Sequence, residues 1–389
     1  MIHARNLPFV TTLAIFVIAY GLCILQFPNM LSTRVIGNLL TDNAFLGIAA
    51  VGMTFVILSG GIDLSVGSVI AFTSVFVAVL VGSFGVHPLT AFLAALVIST
   101  LFGCLMGAMI RYLMIPPFVV TLAGMFLARG AAYLVSTQSV PITHEFIDTM
   151  LGFYIRFPGG GRLTLLAMVM LIVFAVGIIV ASRTRFGANV YAIGGNIQSA
   201  ELMGVPVGAT TIRIYALSGF LSGLAGIVYT LYTSSGYSLA TVGVELDAIA
   251  AVVIGGTLLT GGVGLIAGTF IGILLQGLIQ TYIVFDGTLS SWWTKIVIGI
   301  LLFVFIVLQR TIIWYSERRL AVRQLKEVCF WVFWKRPSAA GSGAATTPMW
   351  SPSSGAVSSP ARYRKARSCP AMRSFRAVSA SPAPFCARR

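Results

Sequence analysis

The sequence predicts an all-α protein that crosses a membrane about ten times, and three observations lead to this fold class. Of its 389 residues, 58% are apolar and only 9% are charged, whereas a soluble domain has about 25% charged residues. Several apolar runs reach the roughly 20 residues that span a bilayer as a helix. These runs are continuous, whereas the strands of a membrane barrel alternate apolar and polar residues.

Ten apolar runs are predicted as membrane spans. They lie at residues 8–27, 44–60, 66–83, 89–110, 117–135, 163–182, 211–233, 247–262, 266–285 and 292–310. The breaks at 60–66 and 262–266 are so short that we expect glycine-broken or re-entrant helices there. The first run could also belong to a signal peptide, but no small-x-small cleavage site follows it, so we expect a retained helix.

Positively charged residues predict which ends of the spans face the cytoplasm. If the N-terminus is cytoplasmic, the inner side carries ten basic residues outside the tail and the outer side carries four. The ten are Arg5, Arg111, Arg183, Arg185, Arg213, Arg310, Arg318, Arg319, Arg323 and Lys326, and the four are Arg34, Arg156, Arg162 and Lys295. We therefore expect both termini in the cytoplasm. Arg129 falls inside a span, where it serves either as a structural or snorkelling residue or as one that faces a partner or cavity.

The last part of the chain differs in composition from the rest. We divide the chain into a transmembrane domain at 1–326 and a basic tail rich in Pro, Ser and Ala at 327–389. From Pro337 onward there is no Leu, Ile, Asp, Glu, Asn or Gln, so this segment cannot bury a core and should be disordered. It is either an arm for nucleic acid or anionic lipid or translation in the wrong frame of a GC-rich gene. We favour the second interpretation and expect no nucleic-acid partner.

Two stretches of the chain resemble each other at a constant offset. Residues 47–70 (GIAAVGMTFVILSGGIDLSVGSVI) and 248–271 (AIAAVVIGGTLLTGGVGLIAGTFI) are identical at ten of 24 positions without a gap. The shared residues include Gly60, Gly61, Gly261 and Gly262. In the predicted topology both copies run in the same direction, which makes this a parallel repeat. Transporters often bind their substrate at the interface between such repeats, close to broken helices.

The first copy contains a carboxylate that the second lacks. Asp63, with Ser65, suits the start of the following helix, where a carboxylate accepts exposed N–H groups and complements the helix dipole. The alternative is a functional contact between Asp63 and a substrate or partner. The second copy has Gly264 in place of Asp63, so the carboxylate belongs to only one half of the repeat.

The chemistry of an energy-coupling or catalytic site is absent from the sequence. No G-x-x-x-x-G-K-[ST] loop for ATP phosphates, no HExxH motif and no nucleophile elbow occurs. The cysteines form no CxxC pair, and they do not group with histidines in a metal-binding pattern. We therefore expect a transport protein and not an enzyme, with neither metal nor cofactor. No relay of acids and histidines crosses the apolar core, as a proton-driven carrier often requires.

One predicted cytoplasmic loop is long and modestly polar. Residues 183–213 contain a turn signal at Gly194-Gly195-Asn196, followed by a possible short helix at 197–203 that Gly204 would end. A short helix in such a loop suits docking on a partner, and the alternative is an ordinary connection.

Five polar residues within the spans either line a passage or form interhelical hydrogen bonds. These are Asn43, Thr54, Ser59, Gln276 and Gln280.

Three motifs carry a resemblance to a known family. SGGIDLSVGS (59–68), RTRFGANVYAIGGNIQSAELMGV (183–205) and LDAIAAVVIGGTLLTGGVGLIAGT (246–269) occur in order. Over roughly residues 1–325 the chain resembles the permease subunits of bacterial ABC sugar importers of the ribose/xylose/arabinose type. Within that family it is most similar to the permeases of galactofuranose importers.

The resemblance implies the partners and the location of the protein. It implies a multi-pass subunit of the bacterial inner membrane that pairs with a second permease chain, identical or different, and receives its sugar from a periplasmic binding protein. It also implies that an ABC ATPase subunit docks on the loop at 183–213. The implied docking residues are Ala200, Glu201, Leu202, Met203 and Gly204. The rival interpretation is a stand-alone secondary transporter or channel for a small polar solute.

Overall fold

The structure is a computed structural model that describes residues 7–288, 290, 292–307 and 311. The predicted tail at 327–389 lies outside the described residues. Fourteen α-helices are described: α1 Leu7–Gln26, α2 Thr33–Asp42, α3 Ala44–Leu58, α4 Val66–Gly82, α5 Pro88–Tyr112, α6 Pro117–Val135, α7 Glu145–Leu151, α8 Leu165–Arg183, α9 Arg185–Gly195, α10 Ile197–Leu202, α11 Val207–Thr233, α12 Val244–Ile254, α13 Ile266–Asp286 and α14 Trp292–Val307.

The helices confirm an all-α membrane fold. Within the described residues, six helices are long and apolar enough to cross a membrane. A seventh span results if α2 and α3, which meet at an angle of 55°, are counted as one bent span. The helices α4 and α14 are apolar but shorter. The ten predicted runs all contain a helix, and the number of complete crossings stays a prediction.

The helix α12 differs most from its predicted span. The apolar run covers residues 247–262, but the helix ends at Ile254 after only 11 residues. Gly256 and Gly261 then have φ values of +91° and +84°, which L side chains rarely adopt. The run therefore continues as an apolar loop inside the protein, where irregular backbone is tolerated at membrane depth. The hydroxyl of Thr12 on α1 donates to the carbonyl oxygen of Ile254 (2.6 Å) and so satisfies one of the free acceptors at the helix end.

The helix α11 lies at the centre of the bundle and packs on α3, α4 and α5. Small residues allow this close packing, because they let helix backbones approach each other. A Cβ atom built on Gly107 of α5 would lie 2.9 Å from the Cα atom of Ile212 on α11. The helix α3 is almost completely buried, so it faces protein and not lipid. The core therefore consists of α11 with α5 and the first repeat copy around it, and the second repeat copy, α12 and α13, packs against α3.

The connections between helices gather at two ends of the bundle. At one end, two small antiparallel sheets form from β1 Val140–Pro141 with β4 Ser235–Gly236, and from β2 Tyr154–Arg156 with β3 Arg162–Thr164. At the other end lie the ends of α3 and α5, the helices α9 and α10, and the loop after α12. The connections alternate between the two ends of the bundle, in agreement with the predicted path of the chain. Which end faces the cytoplasm stays a prediction.

Candidate functional site

The segment between α3 and α4, residues 59–65, is called the first break loop. Its Asp63 is 1% exposed, and both carboxylate oxygens are used within the chain. Oδ1 accepts from the backbone N–H (3.0 Å) and the hydroxyl (2.6 Å) of Ser65. Oδ2 accepts from the hydroxyl of Ser218 on α11 (2.7 Å). The carboxylate therefore turns the chain into α4 and ties the first break loop to the central helix.

Next to this carboxylate, a tyrosine explains one of the repeat glycines. The ring of Tyr215 on α11 is buried, and its hydroxyl oxygen occupies the space that a Cβ atom on Gly61 would need. A side chain at Gly61 would collide with that oxygen, so the close approach of α11 requires glycine here. Two residues of α11, Tyr215 and Ser218, thus position the first break loop. Sequence reasoning missed both, because a Tyr and a Ser in an apolar helix have no distinctive spacing.

The segment between α12 and α13, residues 255–265, is called the second break loop. The backbone N–H of Leu258 donates to the carbonyl of Val263 (2.9 Å), which closes a turn. At the position of Asp63, the second copy has Gly264, whose carbonyl oxygen accepts from the hydroxyl of Tyr191 on α9 (2.9 Å). The second break loop is therefore tied to α9 by a backbone carbonyl instead of a side-chain carboxylate.

The two break loops touch each other. The backbone N–H of Gly262 donates to the carbonyl of Leu58 at the end of α3 (2.9 Å). Deeper in the bundle, the hydroxyls of Thr54 on α3 and Thr269 on α13 share a buried hydrogen bond of 2.9 Å. The structure thus joins the two copies of the repeat through one backbone contact and one side-chain contact.

The short helix predicted at 197–203 is confirmed as α10, Ile197–Leu202. Ala200 is completely buried, whereas Leu202 is 90% exposed and Met203 is 72% exposed. Gly204 follows with φ of +80°, and its N–H donates to the carbonyl of Glu201 (3.0 Å), which ends the helix. The helix therefore presents two large apolar side chains to solvent at the end of the bundle.

The remaining predicted docking residue has a partner within the chain. The carboxylate of Glu201 forms an ion pair with Arg111 at the end of α5 (3.2 Å). Both side chains are partly exposed, and an ion pair of this kind contributes about 0–1 kcal/mol. This contact orients α10 relative to α5.

The five polar residues predicted within the spans occupy different environments. Two of them bond locally, to a carbonyl three or four residues earlier in the chain. Asn43 donates to the carbonyl of Leu39 (2.8 Å), and Ser59 donates to the carbonyl of Val56 (2.7 Å). The contacts of Thr54 and Gln276 run between helices, with Gln276 donating to the carbonyl of Asp247 on α12 (3.1 Å). Gln280 is exposed. Thr54 lies at the interface between the repeat copies, Gln276 joins the two helices of the second copy, and the structure does not gather all five residues in one place.

A further polar cluster lies where α12 begins. Glu245 in the first turn of α12 is 8% exposed, and its carboxylate lies against Gly67 of α4. Arg129 of α6 donates to the carbonyls of Ser238 (2.8 Å) and Ala240 (2.7 Å) in the preceding loop. Arg129 therefore anchors that loop, which supports the structural interpretation of this residue. Its position inside a span was visible in the sequence, but its partners, more than 100 residues away, were not.

Within the residues that the structure describes, no three His, Cys, Asp or Glu side chains come close enough to hold a metal ion. What the described residues offer is a pair of break loops inside the bundle, a polar cluster beside them, and an exposed apolar helix at one end. Such an arrangement suits a transport pathway whose opening is driven from outside the helix bundle.

Comparisons with known proteins agree with this arrangement. Residues 35–306 match the family described as "Branched-chain amino acid transport system / permease component". The chain is 62% identical over 316 residues to the "Inner membrane ABC transporter permease protein YjfF" of Escherichia coli (strain K12), covering 81% of this chain and 96% of that relative. No solved structure matches the chain.

Two further relatives carry the names of sugar importers. The chain is 40% identical over 303 residues to the "Ribose import permease protein RbsC" of Bacillus subtilis (strain 168), covering 77% of this chain and 91% of that relative. It is 37% identical over 314 residues to the "Fructose import permease protein FruG" of Bifidobacterium longum (strain NCC 2705), covering 79% of this chain and 92% of that relative. The chain belongs to this family of membrane permease components, and it is a transport component rather than an enzyme.

Proposed function

We propose that the chain is the membrane-spanning permease subunit of an ABC importer that carries a monosaccharide into the cytoplasm, with galactofuranose as the substrate. Relatives named as ribose and fructose import permeases support the substrate class. Galactofuranose rests on the resemblance of the three sequence motifs. In this proposal the protein lies in the bacterial inner membrane with both termini in the cytoplasm.

The observation that carries this proposal is the exposed apolar end of α10. Leu202 and Met203 project from the bundle end that is predicted to be cytoplasmic, and the buried Ala200 holds the helix in place. Exposed apolar side chains that lie next to each other mark candidate interaction surfaces. An ABC ATPase subunit is the proposed partner, since the chain itself has no ATP-binding loop.

Two other partners complete the proposed importer. A second permease chain, identical or different, pairs with this one in the membrane, and a periplasmic binding protein delivers the sugar to the outer face. The passage would then lie between the two permease chains. Gln280 is exposed on α13 and can face such a passage directly, whereas Asn43, Thr54 and Gln276 are buried within the chain and would reach it only after a rearrangement.

Sugar uptake in cells tests the substrate and the energy source. Labelled galactofuranose, ribose and galactose are offered to cells with and without this gene, and to cells that lack the partner ATPase gene. We expect galactofuranose uptake only when both genes are present. Uptake that persists without the ATPase and follows an ion gradient would instead establish a stand-alone secondary transporter.

Substitutions at the end of α10 test the docking surface. Leu202→Asp and Gly204→Asp place a carboxylate in the proposed contact, and we expect uptake to fall at least tenfold, the loss associated with about 1.4 kcal/mol. Because neither position is packed against the bundle, the protein should still reach the membrane. Leu202→Asp is the cleaner variant, since Gly204→Asp also strains the backbone at a φ of +80°. Leu202→Met keeps an apolar side chain and should retain uptake. Normal uptake by both charged variants would contradict the docking assignment.

A further inference from the structure

The helix α9, which precedes the proposed docking helix, lies directly against both break loops. Gly194 in its last turn faces the carbonyl of Leu58 at the end of α3 and the backbone N–H of Gly262. A Cβ atom built on Gly194 would collide with the Leu58 oxygen and would lie 2.5 Å from the Gly262 nitrogen. Only glycine fits at this position, because the neighbouring atoms belong to backbone and cannot rotate away.

Three backbone segments therefore meet at one junction, formed by Leu58, Gly194 and Gly262. A Cβ atom on Gly261 would lie 2.8 Å from the nitrogen of Gly60 and 3.1 Å from the carbonyl oxygen of Gly194. The hydrogen bond from Gly262 to Leu58 joins the two break loops. The hydroxyl of Tyr191 adds a side-chain contact from α9 to the second break loop.

The helices α9 and α10 are bound into one unit. The side-chain oxygen of Asn196 between them accepts from the backbone N–H of Ser199 (2.8 Å), and the backbone N–H of Asn196 donates to the carbonyl of Ala192 (3.1 Å). Ile193 of α9 packs with the buried Ala200 of α10. A displacement of α10 must therefore carry α9 with it.

We propose that Gly194 is the positioning residue through which the docked ATPase moves both halves of the repeat. This inference rests on the proposed function, since it requires a partner that moves α10. Close-packed backbone contacts transmit displacement because packed interiors are barely compressible. The positive-φ glycines of the two break loops supply backbone positions that can absorb such a movement. The docking helix thus acts on both repeat copies at one point and does not push on a single span.

The adjacent Gly195 provides a matched control. Both glycines lie in the last turn of α9, but a Cβ atom on Gly195 would have no atom within 4 Å. Gly194→Ala forces α9 away from the break loops, whereas Gly195→Ala changes only helix propensity. The complete importer, with its ATPase, partner permease and binding protein, is reconstituted in liposomes. Sugar uptake and ATP hydrolysis are measured in the same preparation.

We expect Gly194→Ala to lower the sugar transported per ATP hydrolysed by about tenfold, within the usual range of coupling between sites. The ATPase should still co-purify with this variant, because its docking surface is unchanged. Gly195→Ala should keep the wild-type ratio within twofold. A wild-type ratio in Gly194→Ala would overturn the inference and leave the proposed function standing.

A second variant applies if Gly194→Ala does not reach the membrane. Tyr191→Phe removes only the hydroxyl that contacts Gly264, and we expect it to lower the transport ratio about twofold to fivefold, at the weak end of coupling effects. An unchanged ratio in Tyr191→Phe would overturn the inference in that case. Sugar transport by the wild-type chain with no ATPase would instead overturn the proposed function and remove the premise of the inference.

Discussion

The two break loops have one glycine conformation in common and differ in what holds them. Gly60 and Gly261, at equivalent positions of the repeat, both have φ of +84°. The first break loop is held by the carboxylate of Asp63, which bonds to the central helix α11. The second has Gly264 at that position and is held by Tyr191 of α9. Gly60 and Gly261 thus take the same backbone conformation, and the unlike residues Asp63 and Gly264 determine which helix holds each loop.

This difference separates a loop bonded to the central helix from a loop bonded to α9, which precedes the proposed docking helix α10. The first break loop is bonded to a long helix inside the bundle, with a charged acceptor that strengthens each hydrogen bond. The second break loop is bonded to the short helix that precedes the docking helix, through one neutral hydrogen bond. The half of the repeat without the carboxylate is therefore the one more directly tied to α9 and, through it, to the proposed docking helix α10.

Copying the carboxylate into the second break loop should do the most damage. A Cβ atom at Gly264 would lie 2.5 Å from the hydroxyl oxygen and 2.6 Å from the methyl carbon of Thr257. Gly264→Asp adds overpacking and an ionised group without a matching partner, at a combined cost on the order of 3–5 kcal/mol. We expect a large fall in the melting temperature in detergent. Gly130→Ala is the control, because a Cβ atom there meets no atom within 4 Å. An unchanged melting temperature in Gly264→Asp would refute the contrast between the two break loops.

Removing the carboxylate from the first break loop should have the next largest effect on stability. Asp63→Ala leaves the donors of Ser65 and Ser218 without their buried acceptor, at a cost of about 3 kcal/mol. Asp63→Asn keeps an acceptor oxygen and should lose less stability, as thermal unfolding of the purified variants would show.

The uptake kinetics of Asp63→Asn decide between the two roles considered for this residue. An unchanged KM indicates a structural anchor. A raised KM with a wild-type melting temperature would instead establish contact with the sugar, and the description of the first break loop as merely fixed would be wrong.

The hydrogen bond between the repeat copies should have a smaller effect. Thr54→Val and Thr269→Val each remove one hydroxyl of the buried pair, at a cost of about 1 kcal/mol. In a double-mutant cycle on unfolding free energies, the second substitution should cost less once the first is present, because the contact is already lost. Strictly additive losses would show that the two hydroxyls do not stabilise the interface together.

The ion pair between Arg111 and Glu201 should have the smallest effect. It ties α10 to α5 and not to either break loop, and it is partly exposed. Glu201→Gln should change the unfolding free energy by about 0–1 kcal/mol, and the difference should shrink at high salt. Thermal unfolding at low and high ionic strength measures this. A loss as large as that of Asp63→Ala would show that α10 is held chiefly by α5.

Much of the fold could be predicted from hydropathy and glycine spacing. The predicted run at 44–60 contains α3, and the predicted short helix at 197–203 is α10. The run at 247–262 was misleading, because hydropathy reports that a segment avoids water and not whether it is helical. An apolar loop buried in protein has the same composition as a span. Gly255 and Gly256 were the available signal for the early end of α12.

The candidate site was predicted less completely. Asp63 and the repeated glycines stand out in the sequence because a carboxylate and fixed-register glycines are rare in apolar segments. Their partners do not stand out: Ser218 lies 155 residues from Asp63. The close contact at Gly194 depends on the meeting of three distant segments, which no local pattern encodes.

The amino-acid sequence by itself determined that the protein is an α-helical membrane permease, where its repeat lies, and where the short helix α10 forms. Apolar run length, residue identity and glycine spacing are local properties, and they suffice for these conclusions. Only the tertiary structure decided that Asp63 bonds to α11, that Tyr191 holds the second break loop, and that Gly194 fits against two other backbones. Contacts between segments so far apart in the chain are selected by packing of the whole bundle, in which most buried polar groups find a hydrogen-bond partner and every close approach needs space.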